Sequence, residues 1–183
     1  MKSVKTMHRI ALLLFLVPVA PLAPLVAHES GFPSETLKKV FPEASGFTAR
    51  KKTLTPEQLK KVERDSGSKV QSNDNPLTYY VAVKGQQALG SVLMLDTRGI
   101  RGGIDLAVGI RRDGSVHRVV VVENKDDARL SAAAFLDQVQ GKTMQAPLKV
   151  GQDIKYSGDA PSAQAVLNAV KRGLSLLAAA QSK

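Results

Sequence analysis

The chain of 183 residues contains no cysteine and no tryptophan, and aromatic residues make up only 4% of it. Without cysteine there can be no disulfide, no thiolate-held iron–sulfur cluster and no c-type haem attachment, so any redox role must rest on another cofactor. No P-loop, dinucleotide glycine fingerprint, zinc-ligand spacing or hydrolase triad occurs. The chain therefore reads as an electron-transfer or binding protein rather than a freestanding enzyme. Twenty-six Lys and Arg against 16 Asp and Glu give a net charge of +10. Few aromatics and no clustered Arg/Lys stripe argue against nucleic acid as the partner.

Acidic residues are also missing from Met1 to Ala27, where Lys2, Lys5 and Arg9 precede an apolar run from Ile10 to Ala27. That is the layout of a secretory signal, with cleavage expected before His28 and export to the periplasm. Pro18, Pro21 and Pro24 disfavour a continuous spanning helix in that run. The alternative is an uncleaved anchor in the inner membrane, for which the 18 residues are just long enough. The remaining residues 28–183 amount to one ordinary domain. They hold 23 Lys and Arg and 16 Asp and Glu, a net of +7. Such a surface suits anionic membrane headgroups, an acidic partner protein or a phosphate-bearing ligand. A new N-terminal His28 would offer copper an amine and a ring, but His117 is the one other imidazole left, so no metal site is expected.

Leu37, Val40 and Phe41 lie at helical spacing from Ser34 and stop at Pro42. Thr55-Pro56-Glu57-Gln58 is a helix start with a capping box, and the helix is expected to run to about Asp65. From Thr78 the pattern becomes strand-like, giving a hairpin of Thr78–Val83 and Leu89–Leu95. A second hairpin joins Ile104–Ile110 to Ser115–Val122 through Asp113-Gly114. The unbroken Val119–Val122 run suggests a central strand covered on both faces. Ser131 is read as the cap of a helix from Ala132 to Val139 that ends at Gly141 and buries Ala134, Phe135 and Val139. The last helix starts near Asp159–Pro161 and runs past Leu177, with Lys171 and Arg172 on its polar face. The expected fold is α+β: an antiparallel four-stranded sheet of two hairpins, packed by the N-terminal helices, one middle helix and a C-terminal helix.

The hairpin turn at Asp113-Gly114, the stretch Glu123–Asp127, Phe135–Lys142 and the run Asp153–Ser162 follow one another in an order that resembles the FMN-binding domain of the flavin-bearing subunits of Rnf and Na+-translocating NADH:quinone oxidoreductase complexes. Phe41-Pro42-Glu43-Ala44 and Leu54–Leu59 add a likeness to the stand-alone exported members of that family. The resemblance spans about Glu35 to Leu177. It implies a single FMN-binding-like domain over 28–183, FMN as cofactor, and a role in periplasmic electron transfer beside a membrane redox complex or another periplasmic electron carrier.

In that family a Ser-Gly-Ala-Thr run opens the last helix, and its Thr carries FMN through a phosphoester. Ser157 and Gly158 match here, Asp159 stands in place of the Ala, Ala160 in place of the acceptor Thr, and Ser162 supplies a later hydroxyl. An alanine methyl forms no phosphoester, so any flavin is expected to be held non-covalently. Ser157, Gly158, Asp159, Ala160 and Ser162 would present a helix N-terminus to its phosphate. Asn124 and Lys125, with Arg129 nearby, would lie against the ligand from the preceding loop. The residues themselves leave a second reading open, in which Ser157, Asp159 and Ser162 simply cap the helix. The rival function that goes with it is a flavin-free accessory or partner-binding subunit of an inner-membrane redox or export system.

Overall fold

The first helix, α1 (Ser34–Val40), buries Leu37 and Val40 and stops before Pro42, which cannot donate the next helical hydrogen bond. A computed structural model describes residues 33–182, so the secretory signal, its cleavage before His28 and the alternative anchor lie outside the described residues. Strand β1 (Gly46–Lys52) follows, then helix α2 (Pro56–Ser66). The capping box forms as read: Thr55 Oγ1 accepts from Gln58 N at 3.3 Å, and Gln58 Oε1 accepts from Thr55 N at 2.9 Å. Strands β2 (Leu77–Lys84), β3 (Gln87–Arg98), β4 (Gly103–Arg111) and β5 (Val116–Asn124) make the two expected hairpins. After short turns comes α3 (Ala133–Leu136), and helix α4 (Ala160–Gln181) closes the chain. Among the described residues no helix is long and apolar enough to cross a membrane.

The α+β class holds, but the sheet has five antiparallel strands in the order β1-β2-β3-β4-β5, not four. The added strand β1 pairs Gly46–Lys52 with Leu77–Val83 in reverse. Five of its seven residues are exposed, so it lacks the alternation of a half-buried strand and reads in sequence as a link between two helices. A second correction concerns Val119–Val122. It belongs to β5, an edge strand, and β3 is the middle one. Valines occur on both faces because α1 packs on β5 from one side and the turns after it from the other, while Val122 stays 46% exposed. Residues 141 and 142 shield the start of that edge, with Gly141 N donating to Val116 O and Val116 N to Lys142 O, both at 2.8 Å.

The middle helix is shorter than expected. Ser131 does not cap it but ends a 3₁₀ turn over Ala128–Ser131, and Ala132 occupies the cap position of α3 without a side-chain bond. A further 3₁₀ turn, Asp137–Val139, completes the segment. Phe135 and Val139 are buried, whereas Ala134 is exposed.

Helix α4 lies across one face of the sheet, its Val166, Ala169, Val170, Leu174 and Leu177 joining Leu93, Leu95, Leu106 and Val108 in the core. Arg172, expected on the polar face, is 1% exposed. Its Nε lies 2.9 Å from Asp74 Oδ2, and Nη2 donates to Asp96 O at 2.6 Å. The helix contacts α2 as well as the sheet, so its buried arc is wider than one apolar stripe and takes in a cation. On the other face α1 sits in a notch at Gly109, where any Cβ would overlap the Val40 side chain and come within 3.2 Å of Phe41.

Candidate functional site

The N-terminus of α4 is where the anion-binding residues were expected, and its donors can be accounted for one by one. Pro161 has no N–H, a feature suited to the first turn of a helix. Ser162 N donates to Asp159 Oδ2 at 2.9 Å, and Ala163 N makes the first helical bond, to Asp159 O, at 3.1 Å. The amide of Asp159 itself points to Asp127 Oδ2 at 3.3 Å. Among the amides of residues 159–163, the exposed Ala160 alone keeps a donor for an outside anion. The capping reading of Asp159 thus describes the local geometry.

Asp127, in sequence only the last residue of the stretch Glu123–Asp127, is the centre of this arrangement. Arg129 grips it in a fork, with Nε at 2.9 and 3.1 Å from the two carboxylate oxygens and Nη2 at 2.8 Å. The Arg129 amide adds a bond at 3.0 Å. The guanidinium holds the Asp127 carboxyl well below the usual carboxylate range, against the effect of burial. Arg129 Nη1 also donates to Ser157 O at 3.0 Å, so the arginine ties the loop after β5 to the turn before α4. The Tyr156 hydroxyl is buried beside the same carboxylate without a hydrogen bond of good geometry, and burial first, then Asp127, pushes its pKa up to about 12. Gly158 is required by this packing: a Cβ there would overlap the Asp127 carboxylate and lie 2.6 Å from the Tyr156 ring.

Asp126 turns the other way. Its Oδ2 accepts from Arg101 N at 2.5 Å and Gly102 N at 3.1 Å, and its Oδ1 from Asp127 N at 2.8 Å. Burial raises the Asp126 pKa, but these amides and the Ser162 hydroxyl outweigh it and hold the pKa below its ordinary value. Ser162 is fully buried, and its Oγ accepts from Ile100 N at 3.0 Å. The β3–β4 turn is therefore pinned to the loop after β5 by the Asp126 carboxylate and to the start of α4 by the Ser162 hydroxyl.

The two loop residues expected against a ligand are engaged elsewhere. Asn124 Nδ2 donates to Asp127 O at 2.9 Å and Ser131 Oγ at 3.2 Å, while its Oδ1 accepts from Asp126 N at 2.9 Å. Lys125 is exposed and pairs with Glu123 at 2.8 Å. Ser157 and Ala160 are exposed at the rim. Asp153, the acid upstream in the resemblance, accepts from Leu148 N at 3.0 Å and Lys149 N at 2.7 Å, where Leu148 takes a φ of 45°. The structure thus brings Asn124, Gly158, Asp159 and Ser162 into one polar knot with Asp126, Asp127 and Arg129. Lys125 stays out of it.

These residues do not fit a flavin phosphate. Three carboxylates and one guanidinium leave the knot with net negative charge, and a phosphate monoester would add about −1.5 to −2 more. Ser162 has no open face from which to carry a phosphoester. Two cavities of the surface lie elsewhere, one bordered by Arg50, Arg111 and Arg112, the other a shallow one along Lys60, Arg64 and Lys69. Among the described residues, no three or more His, Asp or Glu are grouped to hold a metal ion. In comparison with known proteins, no family model matches the chain and no curated protein matches it.

Proposed function

We propose that the chain is a flavin-free binding domain on an FMN-binding-type fold, serving in the cell envelope as an accessory subunit that engages a partner of an inner-membrane redox or export system. One observation supports this reading above the electron carrier that the resemblance implies. Where a flavin phosphate would meet the start of α4, the amides of Asp159 and Ser162 are already bonded to the chain's own carboxylates. A helix N-terminus attracts an anion only through free amides and its positive dipole end, and here Asp159 and Asp127 supply that anion internally. The net charge of +7 over residues 28–183 suits an acidic protein partner or an anionic membrane surface.

Expression with the leader, in a periplasm that also contains an enzyme able to attach FMN through a phosphoester, tests the proposal by visible spectrum before and after denaturation. The expected protein is colourless, and it retains no FMN on dialysis against the cofactor. Yellow that leaves on denaturation would reinstate a non-covalent electron carrier. Yellow that stays with the chain would place a phosphoester on Ser162 or another hydroxyl.

A further inference from the structure

A cavity of about 250 Å³ opens where β2, β3 and β4 pass beneath the last turn of α4. Tyr79, Ile110 and Leu177 give it an apolar wall, and the exposed Arg50 and Arg112 border it. Arg111 reaches it from the neighbouring position of β4, which shares the α1 side of the sheet with Gly90 and Gly109. No acidic side chain lines it. Among the described residues, neither Arg50 nor Arg112 has a carboxylate within ion-pair distance. Asp113, on the adjoining turn, accepts with Oδ1 from Ser115 N at 2.9 Å and Ser115 Oγ at 2.7 Å, and these bonds, helped by the nearby charge of Arg111, lower its pKa. Arg111 is engaged away from the cavity, its Nη1 donating to Val116 O at 2.9 Å.

Arg50 and Arg112 bring two unpaired cations to the border of one apolar cavity, and the fold supplies little to offset them. The C-terminal end of α4 carries about half a negative charge, and part of that is taken by Gln58 Nε2, which donates to Ala179 O at 3.0 Å. An anion is therefore the complement the cavity lacks. Pockets that bury drug-sized ligands run to roughly 300–1,000 Å³, so this one suits something smaller. We propose that it binds a small organic anion, a carboxylate or phosphate monoester carrying a compact apolar group, with Arg50 and Arg112 on the anion and Tyr79, Ile110 and Leu177 around the apolar part. The guanidinium fork matches either headgroup in bidentate fashion. The site is separate from the start of α4 and does not depend on how the flavin question is answered.

Calorimetric titration of the purified 28–183 protein with phenyl phosphate, benzoate and uncharged benzyl alcohol tests this. Both anions are expected to bind saturably and more weakly as salt rises, and the alcohol not to bind. Arg50→Ala and Arg112→Ala, at exposed positions that leave the fold intact by circular dichroism, should each weaken phenyl phosphate by about fivefold or more. Arg-to-Lys at the same positions should lose less. Competition by phosphatidic-acid vesicles would assign the anion to a lipid headgroup, and its absence to a soluble molecule; either result upholds the site. Absence of binding by both anions, equal binding by the alcohol, or affinity untouched by both alanine variants would overturn the proposal.

Discussion

Asp127 carries a charge that the fold relies on, and its pH dependence follows from the direction of its shift. An unperturbed Asp titrates near 3.9, and Arg129 holds Asp127 below that in the folded chain. Its ionised form therefore adds stability that is complete above about pH 4 and fades as pH falls toward the folded pKa. Asp127→Asn is expected to lower the melting temperature at pH 7, and its gap from the parent protein should narrow in melts taken below about pH 4. A gap independent of pH would contradict the ion pair. Arg172 and Asp74 form a second pair, 1% and 2% exposed, and burial raises the Asp74 pKa despite the Gln71 amide and the guanidinium. Removing one partner strands the other, so Arg172→Met should cost about 3–5 kcal/mol in chemical denaturation. Adding Asp74→Leu should recover much of that loss, since a buried pair is often no better than apolar residues of like volume. Neither role was legible in sequence. Arg172 follows Lys171 on what looks like a polar stripe, and its buried partner comes from a loop 98 residues earlier that sequence periodicity does not place.

Elements were more legible than single residues, and the misses share a cause. The capping box at Thr55, the Asp-Gly hairpin and the α4 start are decided by neighbours within four residues, and all three form as expected. Strand β1 and the place of β5 are decided by pairing across the sheet, on which local patterns carry little information. The same division runs through the candidate site: Asp159 as a cap is a local fact, while the convergence of Asp126 and Asp127 on two different elements is not. Thr55→Ala should destabilise the protein by about 1 kcal/mol, as loss of an N-cap does elsewhere. Gly109→Ala is expected to be worse, roughly 1–3 kcal/mol, because the added methyl meets Val40 across a packed interface. Limited proteolysis near residues 41–46 should report the loosened α1 in that variant and stay unchanged in Thr55→Ala.

For the molecule as a whole, the fold and the function separate. The α+β sandwich depends on the core between α4 and the sheet, which would serve a flavoprotein or a flavin-free relative equally well. On the proposed reading, what distinguishes the two is the charge at the start of α4, where Asp127 and Asp159 bond the amides that a phosphate would need. Titration of FMN fluorescence with the purified 28–183 protein at low ionic strength bears on this most directly. The cofactor is expected to keep its full emission at every protein concentration; saturable quenching at one flavin per chain would contradict the account.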